Sequence, residues 1–191
     1  PYALGQQVSF KKDFGPDLQK INLKTLNEVK KEDFLKKLDP VYETIKEIKT
    51  KLSANNKDTI GFVGAPWTLL LYMLNRKSPR GGNFNMFSKD KHISNIMVKL
   101  DEFLKIHIEA QIKSGASIIQ IFDSWSGLIP EKDLEYFVYK PLKSLVDFIR
   151  QKNTISICFP RNINNYKKFV ENVKPDVISI DYNIDPSIIR D

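Results

Sequence analysis

Four short runs of β-branched and aromatic residues punctuate the chain: Thr59–Val63, Ser117–Phe122, Thr154–Phe159 and Asp176–Asp181. Each is too short for an ordinary helix, and polar or turn-forming residues bound it, which predicts strands. Between them the apolar spacing changes to that of a helix. From His92 to Lys113, Ile93, Ile96, Met97, Leu100, Phe103, Leu104, Ile108 and Ile112 fall on one face, and Gly115 is placed to end the helix. Leu142, Leu145, Val146 and Ile149 restart a stripe after a break expected at Pro141. Ile163, Tyr166, Phe169, Val170 and Val173 mark another helix, and Asp185-Pro186 opens a fifth. Upstream, Asp39-Pro40 reads as an N-cap with proline in the first turn, and Val41, Ile45, Ile48 and Leu52 follow on one face. Gln6–Asn22 reads as a loop or hairpin, and Asn75–Asp90 as a long polar loop carrying Gly81-Gly82.

Strands alternating with helices predict a parallel sheet covered by helices. Two α/β architectures fit: a doubly wound open sheet, or part of a (β/α)8 barrel. Neither GxGxxG nor GxxxxGK[ST] follows any strand, which weakens the nucleotide-binding form of the first. A complete barrel takes about 250 residues. Four strand–helix units in 191 residues would be a partial barrel, roughly half of one. The sequence opens on Pro1 and stops at Asp191, one turn into what reads as a new helix, so we expect an internal segment of a longer domain, cut at both ends.

Composition removes several classes. Apolar residues make up 41 %, and 8 Gly with 10 Pro fall well short of a low-complexity or collagen-like chain. One Cys excludes a disulfide framework and any CxxC metal site within these residues. The longest uncharged run, Thr59 to Asn75, contains two Gly, a Pro and two Thr and is short of a membrane helix. The net charge is +7, from 30 basic and 23 acidic residues, which admits an acidic partner. The lysines, however, are dispersed along helix-like stretches beside Glu and Asp. A nucleic-acid-binding module would need a focused basic patch or a known motif, and neither is present.

Ligands of parallel α/β folds bind beyond the carboxyl ends of the strands. That singles out Gly64-Ala-Pro-Trp-Thr68, Asp123-Ser-Trp-Ser-Gly127, Pro160-Arg161 and Asp181-Tyr182. Gly61-Phe-Val-Gly-Ala-Pro-Trp-Thr-Leu-Leu-Leu-Tyr-Met73 closely resembles the GF-x-G-[SA]-PWT-L-x-x-YM stretch of the uroporphyrinogen decarboxylase family. Ile121-Phe-Asp-Ser-Trp-Ser-Gly-Leu-Ile-Pro130 resembles its second signature, and Ile180-Asp-Tyr182 its GLDW segment. Pro1-Tyr-Ala-Leu-Gly5 is similar to the end of its third-strand region, so the resemblance runs through the whole sequence in order.

The resemblance implies a (β/α)8 barrel, cytoplasmic and homodimeric at full length, without cofactor or metal. It implies removal of CO2 from the four acetate arms of a tetrapyrrole in haem biosynthesis. Losing CO2 leaves electron density beside the ring, so general acid catalysis and electrostatic stabilisation matter most. Carried over position by position, Tyr72 and Ser124 bind substrate carboxylates. The family's central Asp falls just before Pro1, and its N-terminal Arg residues and C-terminal His also fall outside this sequence, so the segment alone is expected to be inactive. Phe62 and Phe122 are either core or an apolar rim against the macrocycle. Trp67 and Trp125 read as packing anchors, His107 as a core histidine and His92 as a helix-start residue. Arg76, Lys77 and Arg80 read as a solvated loop or a basic lid.

Three rivals remain: a corrinoid- or thiol-dependent methyltransferase of the same superfamily, a basic nucleic-acid-binding module, and a decayed fragment. The methyltransferase would want zinc ligands near Ser156-Ile-Cys158, where one Cys is too few.

Overall fold

A computed structural model of the chain describes residues 1–11, 15–52, 57–79, 87 and 89–189. Phe14, Arg80, Gly81-Gly82, Arg190 and Asp191 lie outside the described residues. A short 3₁₀ turn, Tyr2–Leu4, leads into an antiparallel hairpin of β1 (Val8–Lys11) and β2 (Gly15–Leu18). The main sheet is parallel, in the order β3 (Ile60–Gly64), β4 (Ile118–Asp123), β5 (Ile155–Pro160) and β6 (Val177–Ile178). The helices are α1 (Leu23–Glu28), α2 (Lys31–Leu52), α3 (Pro66–Asn75), α4 (Lys91–Lys113), α5 (Glu131–Leu134), α6 (Lys140–Gln151) and α7 (Tyr166–Val173). This is the α/β architecture expected of a partial (β/α)8-type barrel.

The register separates the two faces of the sheet. Gly61, Val63, Ile119, Ile121, Asp123, Ser156, Cys158 and Pro160 are buried, and the residues that alternate with them are half-buried or exposed. Successive strand residues point to opposite faces, so the buried set meets the helix layer. Across the other face Phe62, Phe122 and Phe159 form an aromatic row, with ring centroids 6.0 and 6.2 Å apart in edge-to-face geometry. Phe62 is 65 % exposed, so it is not part of the core.

Two prolines depart from the sequence expectation. Pro40 does not start a helix; it lies inside the 22-residue α2. A proline there forfeits one helical hydrogen bond, but Phe34, Tyr42 and Ile45 on both sides of it are buried, and that packing carries the helix through. The expected stripe is only partly core: Ile45 is buried, whereas Val41 and Ile48 are about 40 % exposed and line a groove with Thr59–Phe62. Pro141 does not break its helix either. A π-helical turn at Glu135–Tyr139 joins α5 to α6. Its wider winding accommodates a residue that has no N–H to give and whose ring would crowd the carbonyl four positions back. The fifth expected helix is a 3₁₀ turn, Pro186–Ile189, with Asp185 accepting from the Ser187 N–H at 2.9 Å.

The longest amphipathic stripe forms α4 as expected. Asp90 caps it by accepting from the N–H groups of His92 and Ile93 at 2.9 and 3.0 Å. His107 packs in this layer, its Nδ1 3.0 Å from Tyr42 Oη, and burial pushes its pKa down to about 4. Gln111, also on α4, closes the outer edge of β3. Its Oε1 accepts from the Phe62 N–H at 3.0 Å and its Nε2 donates to the Phe62 carbonyl at 3.1 Å. Gly61 makes this possible, because a Cβ there would sit 2.7 Å from Gln111 Oε1.

Helix lysines pair locally: Lys99 with Glu102, Lys105 with Asp101 and Lys143 with Asp147. Such pairs contribute little stability, but they spread the positive charge as solvated faces.

Candidate functional site

The carboxyl ends of β3 and β4 are fastened to each other by α3. The Ala65 N–H donates to the Phe122 carbonyl at 2.8 Å, and Pro66 begins α3 directly, where its missing N–H costs nothing. Trp67 is fully buried. It packs on Phe137, with centroids 5.1 Å apart, and its Nε1 donates to the Trp125 carbonyl at 2.9 Å. Thr68 Oγ1 donates to Asp123 Oδ1 at 2.7 Å. The loop after β4 is held from the other side as well. Ser126 Oγ lies 3.0 Å from the carbonyls of both Asp123 and Arg161, and the Arg161 N–H donates to the Asp123 carbonyl at 3.1 Å.

Asp123 is the chemically unusual group. It is 1 % exposed, and its Oδ2 has no hydrogen-bond partner among the described residues. Burial raises its pKa to about 7, against the smaller opposing pull of the Thr68 hydroxyl. Desolvation disfavours the charged carboxylate, and one neutral hydrogen bond does not replace its hydration shell.

Tyr72 lies on the last turn of α3, half-buried, with its ring 6.5 Å from that of Trp125. Ser124 is half-buried in the first position after β4. Thus Tyr72 and the residue following Ser124 are neighbours. Tyr72 lines a hollow of about 290 Å³ with Tyr2, Val8, Phe10, Pro16, Leu18 and Leu69, and Ser124 is not part of that lining. Phe62 lines a separate apolar hollow of about 310 Å³ at the outer edge of β3, together with Phe34, Leu100, Phe103 and His107. Phe122 belongs to the aromatic row on the sheet's exposed face.

Other expected residues have structural employment. Arg76 is tied to the hairpin: its Nε donates to the Leu18 carbonyl at 3.0 Å, and its own carbonyl accepts from the Leu18 N–H at 2.8 Å. It braces the wall beside Tyr72 and does not hang free as a lid. Asp181 accepts from the Asn162 N–H and from Tyr166 Oη, both at 2.6 Å, and so locks the end of β6 to the β5–α7 connection. Tyr182 beside it is fully exposed. Trp67 is the anchor the sequence suggested. Sequence reasoning missed the Thr68–Asp123 pair and the Gln111 clamp. A carboxylate closing a buried strand was the available signal for the first.

The zinc-site alternative finds no support in the geometry. Ser156 Oγ donates to Asp176 Oδ2 at 2.7 Å, and Cys158 is buried on the helix side, where burial pushes its thiol pKa up. Among the described residues no group of three or more His, Cys, Asp or Glu side chains could hold a metal ion.

Gly127 has no room for a side chain, because a Cβ there would overlap the backbone of Asn162. Gly127→Ala is expected to destabilise the protein by about 1–3 kcal/mol through overpacking, measured by urea unfolding. A variant as stable as wild type would show that the loop yields.

A family model described as Uroporphyrinogen decarboxylase (URO-D) matches residues 1–191. The chain belongs to the uroporphyrinogen decarboxylase family. Among curated members, the uroporphyrinogen decarboxylase of Rickettsia bellii is 35 % identical over 95 % of this chain and 55 % of its own length. That of Orientia tsutsugamushi is 35 % identical over 96 % of this chain and 55 % of its own. The chain therefore spans about half the length of the curated decarboxylases it matches. A methyltransferase from Methanosarcina mazei shares the fold, with a TM-score of 0.65 over 94 % of this chain and 60 % of the other, at 16 % identity.

Proposed function

We propose that residues 1–191 are part of a single barrel domain of a uroporphyrinogen decarboxylase, which removes CO2 from the four acetate arms of uroporphyrinogen to give coproporphyrinogen. The observation that carries this reading is the family match across the whole sequence. In this reading Tyr72 Oη and Ser124 Oγ donate to substrate carboxylates, and neither hydroxyl has a hydrogen-bond partner among the described residues. The row of Phe62, Phe122 and Phe159 offers an apolar face of the kind a macrocycle would lie against. The acid and the pyrrole-binding Asp come from outside residues 1–191, so this segment contributes binding and orientation and is inactive alone. The complete protein works in the cytoplasm as a homodimer, needs no cofactor and binds neither nucleic acid nor membrane. Among the described residues no helix is long and apolar enough to cross a membrane.

Tyr72→Phe in the complete protein tests the reading. A hydrogen bond to a charged carboxylate is worth about 1.5–3 kcal/mol, so kcat/KM for uroporphyrinogen should fall roughly 10- to 100-fold. Unchanged kinetics at limiting substrate would remove Tyr72 from the site. Steep salt-dependent binding to RNA or DNA, with no saturable porphyrinogen binding, would favour the basic-module reading instead.

A further inference from the structure

Two consecutive residues of α3 hold the residues on either side of Ser124. Thr68 bonds the Asp123 side chain at 2.7 Å, and Trp67 bonds the Trp125 carbonyl at 2.9 Å. The same helix carries Tyr72, one turn beyond Thr68 and therefore on the same face. Asp123 is buried in the helix layer while Ser124, the next residue, is half-exposed.

We infer that Thr68 and Asp123 form a positioning pair, which sets where Ser124 Oγ stands relative to Tyr72 Oη and so how the site grips a carboxylate. This rests on the decarboxylase reading. Neither member touches substrate: both are more than nine-tenths buried, and the bond between them crosses from α3 to the end of β4. Asp123 Oδ2 is unsatisfied, so Thr68 is the one described side chain bonded to this carboxyl. Removing its hydroxyl leaves the carboxyl free to turn and the strand end free to shift. A displacement of about 1 Å at a positioning group is enough to cost a large factor in rate or binding.

The experiment uses the complete protein with uroporphyrinogen as substrate. Thr68→Val keeps the side-chain shape and removes the donor; KM should rise about tenfold while kcat stays within about twofold. Thr68→Ser restores the donor and should return KM to within about twofold of wild type. Asp123→Ala removes the acceptor and should raise KM alike, and the double variant should rise no further than either single one. A Thr68→Val enzyme with wild-type KM, a failure of Thr68→Ser to rescue, or effects that multiply to about a hundredfold in the double variant would overturn the pair. If the wild type turns over no uroporphyrinogen, the decarboxylase reading falls and takes the pair with it. An active wild type with an indifferent Thr68→Val overturns the pair alone.

Discussion

Asp123→Asn is expected to flatten a fall in stability between about pH 4 and pH 7 that the raised Asp123 pKa implies for the wild type, and to leave the variant more stable than wild type at pH 8. The sign follows from the direction of the shift. Burial raises the folded-state pKa from the ordinary 3.8 to about 7. Below about pH 4 both folded and unfolded chains carry the proton, and the contribution is fully present. Between pH 4 and pH 7 the unfolded chain releases the proton while the folded chain keeps it, so stability drops as pH rises, and the loss is complete above pH 7. A shift of this size corresponds to about 4 kcal/mol as an order of magnitude. Asparagine has no proton to lose, and its Oδ1 still accepts from Thr68. Urea unfolding of the complete protein and its Asn variant, at pH 5 and pH 8 and fixed salt, measures the difference. Comparison at each pH cancels His107, whose lowered pKa of about 4 acts in the opposite direction. A wild-type-to-variant gap of the same size at both pH values would show that Asp123 does not titrate in this window.

Local and long-range physics divide what could be read from the sequence. The stripe from Ile93 to Ile112 is a local pattern, and α4 follows it with its cap at Asp90. The first three expected strands appear one residue later than their apolar runs, with β6 cut to two residues. Pro40 and Pro141 misled because a proline is a local rule, and packing of Phe34, Tyr42 and Ile45, or a π turn, overrides it. The motif around Tyr72 and Ser124 locates the strand ends. It carries no trace of the partnership between Thr68 and Asp123, which are 55 residues apart. Nor does it show that Gln111 reaches 49 residues back to the edge of β3. Pairings at such distances are made by the fold, and a single sequence has no period that records them.

Trp67→Ala is expected to cost about 3–5 kcal/mol, the range for deleting a fully buried aromatic side chain. The ring touches Phe137 and Phe87, at centroid distances of 5.1 and 5.9 Å, so its removal opens a cavity between α3 and the π turn. The same change removes one of the two donors to the Trp125 carbonyl, which still accepts from the Leu128 N–H at 3.1 Å. Two effects are therefore superimposed, and Trp67→Phe separates them: it keeps much of the packing and loses the indole donor. Loss of one neutral hydrogen bond contributes about 0.5–1.5 kcal/mol, so the Phe variant should be destabilised far less than the Ala variant. If the indole bond holds the Ser124 loop, both variants should speed amide hydrogen exchange at Ser126 and Gly127, although only the Ala variant is strongly destabilised. Slow exchange there in Trp67→Phe would assign the loop's order to its remaining hydrogen bonds, those through Ser126, Arg161 and Leu128. Fast exchange in both would make α3 the common frame of Tyr72 and Ser124, because the helix that bears one hydroxyl would then also restrain the backbone that bears the other.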